Sequence, residues 1–169
     1  NYFPERTYFS AESYLAQYVQ TWTSSLFWNK LFRTELVRNI RFKQERRCID
    51  DEFFTYKALS KSRKIVRISN VLYHYRQRAS SAVYNPKNQH QVAIDSLDVL
   101  MERYEWISTR FPRLRKIYLQ HDIQILFYFA SFSHTNETIE QFQKIRKFYF
   151  TESILHPVGL SAIYMAVKL

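Results

Sequence analysis

Ile49-Asp50-Asp51-Glu52-Phe53-Phe54-Thr55-Tyr56-Lys57 sets three consecutive acids at the head of an apolar, aromatic run. Carboxylates in a first turn offset the positive end of a helix, so Asp50 or Asp51 opens a helix that closes near Ser62. Just beyond it the period shortens to two. Lys64 to Ser69 is rich in Ile and Val and alternates, which predicts a strand. Val71 to Arg78 alternates again. Extended, it puts Leu72, His74, Arg76 and Arg78 on one face and Val71, Tyr73 and Tyr75 on the other.

Upstream, Ser10 is a helix cap, and Tyr14, Leu15, Tyr18, Val19 and Trp22 follow at helical spacing, predicting a helix from Ala11 to Trp22. Thr23-Ser24-Ser25 breaks it. Thr34 caps a short helix through Arg38, and Asn39 to Arg47 reads as a polar loop that turns Ile40 and Phe42 inward. After Tyr84-Asn85-Pro86 only helices are expected. Ala93, Leu97, Leu100, Met101 and Tyr104 form one apolar stripe, and Phe111-Pro112 marks a break. His121 to Ser133 is apolar almost all round, the pattern of a bundle's central helix. Thr135 or Asn136 caps another helix through about Phe150, and a last short one begins near Val158. The fold class is mainly α with a short β segment, divided as residues 1–84 and a helical extension, 85–169.

A chain of 169 residues that is 46% hydrophobic can build a core, and its composition is far from that of a disordered segment. Its single glycine contrasts with the usual ~7%, which excludes a glycine-rich phosphate loop and favours helices over tight turns. The lone Cys48 forms no internal disulfide, and no Cys/His cluster suggests structural zinc, so a reducing, cytoplasmic setting is expected. Asn1 to Arg6 is no signal peptide and lacks an initiator methionine, the expectation for a piece of something longer. The apolar run Val158 to Val167 is shorter than the ~20 residues that span a bilayer. A net charge of +10 attracts phosphates of any kind, whether nucleic acid, anionic lipid or nucleotide; its ordinary reading is a solvated basic surface.

Two readings stand for the acids. They cap exposed N–H groups, or one of them, beside Phe53 and Phe54, has a raised pKa and serves as a general base. Arg76 and Arg78 are exposed cations on an edge strand, or forked donors to phosphate aided by Ser80 or Ser81. His74 packs on its strand or meets a metal, and Trp28 is core or a platform for a flat ligand.

Ser25-Leu26-Phe27-Trp28-Asn29-Lys30-Leu31-Phe32-Arg33-Thr34-Glu35-Leu36, then Asn39-Ile40-Arg41-Phe42, the Asp-Asp box with Phe53 and Phe54, Lys64-Ile65-Val66, and Leu72-Tyr73-His74-Tyr75-Arg76 with Ser80-Ser81 carry a resemblance. In order and spacing, from about Ser24 to Val83, they resemble the second half of a bacterial family 2 inverting glycosyltransferase. The family pattern runs W-x-K-L-Y-R-x-E-L, I-R-F, an E-D-x-x-F box, K-I-V, and L-Y-Y-Y-R with a serine beyond. Each motif alone is weak; five in order are more specific.

The resemblance implies the acceptor-side part of a GT-A α/β fold, a nucleotide-sugar donor, a saccharide or lipid-linked acceptor, and a divalent metal, Mg or Mn. It makes Asp51 the general base and puts Arg76, Ser81 and Arg78 at the donor diphosphate, with Ser80 close behind. Trp28, Lys30 and Asp50 fall on the acceptor side, and His74 replaces a usual tyrosine, which leaves a metal contact open. The box reads Asp-Asp rather than Glu-Asp, which keeps the base position. The family's nucleotide-binding half, with its Asp-x-Asp metal motif, has no counterpart in Asn1 to Thr23, and Asp95-Ser96-Leu97-Asp98 sits on a predicted helix at the wrong end of the order. The chain is therefore expected to be inactive alone, to hold no metal itself, and to work at the inner face of a bacterial membrane in surface polysaccharide synthesis. The competing reading is a non-enzymatic helical module that dimerises through Phe127, Phe129 and Phe132. Nucleic-acid binding is disfavoured, because the cations are scattered and no recognition helix appears.

Overall fold

Helix α1 (Ala11–Tyr18) starts where the Ser10 hydroxyl accepts the N–H of Ser13 at 3.1 Å, and it buries Ala11, Leu15 and Tyr18 along one side. The computed structural model describes residues 5–42, 49–76, 88–130 and 135–156. Within them, strand β1 (Arg6–Phe9) precedes α1, a single 3-10 turn covers Trp22–Ser24, and α2 (Thr34–Val37) is one turn long. Then come α3 (Asp50–Ser60), β2 (Ile65–Ile68), α4 (Gln89–Arg110), α5 (Arg115–Ala130) and α6 (Asn136–Leu155).

The two strands pair antiparallel, with Arg6 opposite Ile68 and Phe9 opposite Ile65. Phe9 meets Tyr14 of α1 edge-on at 5.5 Å, which ties the ribbon to the first helix. A two-stranded ribbon alone is marginal, so that anchor matters. β1 carried no strand expectation: four residues between Glu5 and the Ser10 cap are too few for a pattern to emerge.

The core is one continuous cluster from Leu15 and Tyr18 through Phe53, Tyr56 and Leu59 to Leu97, Ile107, Leu119, Ile123, Ile145 and Tyr149. It joins residues from both sides of position 85. The expected stripe on α4 is inward: Ala93, Leu97, Leu100 and Tyr104 are buried and Met101 packs against the cluster. Helix α4 ends at Arg110, and Pro112 starts a 3-10 turn, as the Phe111-Pro112 break requires.

Several expectations are corrected. The central helix is α4, which packs against α3, α5 and α6, and not the His121–Ser133 segment. Its described part, His121 to Ala130, lies in α5, which begins earlier, at Arg115, and exposes Lys116, Ile117 and Gln124. Helix α1 stops at Tyr18 rather than Trp22, with Trp22 in the 3-10 turn. Phe42 is exposed, while Ile40 is buried as expected. Val71–Arg76 forms no strand: among the described residues no backbone pairs with it. Helix α6 runs five residues past Phe150, to Leu155. Arg78, Ser80, Ser81, Cys48, Phe132, the segment from Val158 and the side chains of Phe127 and Phe129 lie outside the described residues. Among the described residues no helix is long and apolar enough to cross a membrane.

Candidate functional site

The N-terminus of α3 carries the acids, and each has a different fate. Ile49 precedes them with φ 61°, a left-handed conformation that a β-branched residue rarely takes and that costs about 1–3 kcal/mol. No side chain caps the helix at Ile49; its carbonyl accepts the N–H of Glu52 at 3.1 Å. The Asp51 carboxylate accepts that same N–H at 3.1 Å. It therefore does some of the work of a cap, one turn position late. Glu52 is drawn away into the core.

Asp51 is half-buried, and burial, followed by the charge of Glu52, raises its pKa above 3.8; the N–H bonds from Glu52 and from its own backbone offset part of this. Asp50 is also raised, by burial first and then by Asp95, and its Oδ1 has no hydrogen-bond partner among the described residues. Lys30 is the facing cation. Burial lowers its pKa to about 8, against the pull of Asp51 and then Glu52. Its ammonium donates to the Leu26 carbonyl at 2.5 Å and to Asn29 Oδ1 at 2.7 Å. Lys30 thus closes its own loop while its charge acts on Asp51 without a direct ion pair.

Trp28 ties this loop to the segment after β2. Its ring stacks with Tyr73 at 4.5 Å and with Tyr75 at 4.8 Å, the latter nearly coplanar. Tyr73 and Tyr75 therefore share a face as alternation requires, although no strand forms there. Phe54 of α3 stacks on Phe42 at 4.9 Å and meets Phe32 edge-on, and Phe27 meets Phe42 edge-on. Lys30 thus faces Asp51 at the head of α3, next to Asp50, while Trp28, on the Lys30 loop, stacks on the segment after β2. His74 and Arg76 follow on the adjoining segment, both exposed, with no hydrogen bond or ion pair among the described residues. No contact joins Arg76 to Asp51.

Sequence reading missed the polar centre beneath this site. Arg103 of α4, 4% exposed, donates to Glu52 Oε1 and to Asp122 Oδ1, each at 2.5 Å. Burial would lower its pKa, but Asp122 and then Glu52 more than reverse that and hold it well above the ordinary arginine value. Tyr149 of α6 donates to Asp122 Oδ2 at 2.8 Å, and His121 Nδ1 lies 2.8 Å from Asp122 Oδ1. The Arg103 guanidinium also sits 5.4 Å from the centre of the Tyr118 ring, and Tyr118 donates to the Leu15 carbonyl at 2.9 Å. The network links α1, α3, α4, α5 and α6. The signal was legible: Arg103 interrupts an apolar stripe between Leu100 and Tyr104, and Asp122 sits inside an otherwise apolar run. Charges in such places are buried only when paired.

Among the described residues no three His, Cys, Asp or Glu side chains group as metal ligands, and His74 stands apart from the acids. No protein-family model, no curated protein and no solved structure matches this chain.

Proposed function

We propose that the chain is the acceptor-side part of a family 2-like inverting glycosyltransferase, which moves a sugar from a nucleotide-sugar donor to a hydroxyl of a saccharide or lipid-linked acceptor. The observation that carries this reading is the state of Asp51: half-buried at the head of α3, with its pKa raised by burial and then by the charge of Glu52. A carboxylate in such a place is a better proton acceptor than one in water. Asp51 takes the proton of the acceptor hydroxyl as that oxygen bonds to the anomeric carbon. The bond to the nucleoside diphosphate breaks on the opposite face, which inverts the centre. Arg76, with Arg78 and Ser81, holds the departing diphosphate by charge-assisted bonds. The family's Mg or Mn would polarise the diphosphate; the described residues here do not form its ligand set, and no step is assigned to it. The setting that goes with this reading is cytoplasmic, peripheral at the inner face of the membrane.

Asp51→Asn in the protein with its donor-binding half should remove transfer and leave donor affinity nearly unchanged, checked by turnover and by calorimetric titration with the nucleotide sugar. Retained activity would end the base assignment. Arg76→Ala should weaken donor binding by ~1.5–3 kcal/mol, the range for a bond to a charged group. This chain alone should transfer no sugar, and measurable transfer by it would overturn the fragment reading.

A further inference from the structure

The loops on either side of α3 hold most of the chain's net charge and its most protruding apolar side chains. Residues 21–42 and 61–76 contain nine lysines and arginines against one acid, Glu35, a net +8 in a chain of net +10. Leu31 is fully exposed, Val71 81%, Leu72 73% and Trp22 67% exposed. The two loops are one surface, because Trp28 of the first stacks on Tyr73 and Tyr75 of the second. Trp22 is drawn to the same place by Asn29, which donates to the neighbouring Thr23 carbonyl at 3.0 Å.

We propose that this surface docks the chain on an anionic lipid bilayer, with Leu31, Val71, Leu72 and Trp22 entering the headgroup region and the surrounding cations meeting the lipid phosphates. Aliphatic tips amid cations suit a bilayer, whose surface is uniformly negative and whose interior accepts any apolar shape. Tryptophan and tyrosine favour the boundary between the two. A single-stranded nucleic acid fits less well. It needs open aromatic faces, whereas Trp28 is already stacked and Leu31, Val71 and Leu72 have no π face. The inference names the surface for the peripheral placement proposed above but draws on charge and exposure alone. Vesicle binding requires no sugar transfer, so either proposal can fail by itself.

The test is flotation of the full chain with phosphatidylcholine vesicles, with and without phosphatidylglycerol. The chain should float with the anionic vesicles, stay behind with the neutral ones, and be released by salt. Leu31→Asp combined with Leu72→Asp should reduce the bound fraction about tenfold, as loss of apolar insertion and gain of two negative charges require. Ile154→Asp, at an exposed site on α6, should leave it unchanged. Circular dichroism checks that each variant is folded, and Leu31→Ser with Val71→Ser replaces the aspartates if they disturb it. No binding to anionic vesicles, or equal binding by parent and loop variants, would overturn the proposal. So would oligouridylate that binds the chain, excludes vesicles and is lost with the same substitutions, which would make the surface a nucleic-acid site.

Discussion

Arg103 keeps its charge in the interior because Glu52 and Asp122 each place a carboxylate oxygen 2.5 Å from it. Removing one member of such a group leaves the others uncompensated, so Arg103→Met should cost ~3–5 kcal/mol in chemical denaturation. Adding Glu52→Gln and Asp122→Asn should recover much of the loss, since the neutral triple variant strands no charge. Asp51 is the opposite case. Its folded pKa is raised, so the folded state holds a proton that the unfolded chain has released, and stability falls as pH rises from 3.8 through the folded value. Asp51→Asn should therefore raise the melting temperature at neutral pH, with the gain fading below the ordinary aspartate range. An enzyme that carries its base in this state trades stability for activity. Under the function proposed above, the acid limb of the transfer rate should sit above the ordinary aspartate range. Lys30 titrates with the reverse sign: the folded state releases its proton at about 8 and the unfolded chain at 10.5, so stability from this group rises between those values.

At the scale of elements, helix starts were the most legible feature, because caps act locally. Ser10 accepts the N–H of Ser13, and Thr135 accepts the N–H of Ile139 through its carbonyl as α6 begins. Ser10→Ala should lower stability by about 1 kcal/mol, measured by thermal or urea unfolding. Strands were less legible. Val71–Arg76 alternates as a strand does, yet a ladder needs a partner backbone, and among the described residues none pairs with it. What alternation did foretell was the shared direction of Tyr73 and Tyr75, now spent on Trp28. Trp28→Ala should free that segment, seen as faster tryptic cleavage after Arg76 with the cleavage of α4 unchanged. Helix α4 became the hub although α5 is the more apolar by sequence. Its inward polar members are bonded: buried Arg103 to Glu52 and Asp122, and half-buried Trp106 donating to Ser60 Oγ at 2.9 Å. Hydropathy counts such residues as surface.

At the scale of the whole molecule, Tyr18, Tyr56, Tyr104, Tyr118 and Tyr149, buried among the described residues, have pKa values raised above 10.0, in each case by burial first. Their folded forms keep a proton that the unfolded chain loses near 10, so the stability they contribute is complete below that pH and is lost as pH rises through it. Unfolding should become steeply favoured above about pH 10, followed by tyrosinate absorbance together with circular dichroism. The largely helical class, the Phe111-Pro112 break, the inward stripe of α4 and the acid-headed α3 followed from the sequence alone, because propensity, period and capping act between near neighbours. The approach of Lys30 to Asp51 rested on motif order and could not be derived from spacing. The ribbon between β1 and β2, the choice of α4 as centre, and the diversion of Glu52 from the acidic cluster to Arg103 were decided by tertiary structure. The ribbon and the Glu52–Arg103 pair each join residues about 50 or more apart in the chain, and α4 is central because α3, α5 and α6 all pack on it; no local pattern encodes such distances in space.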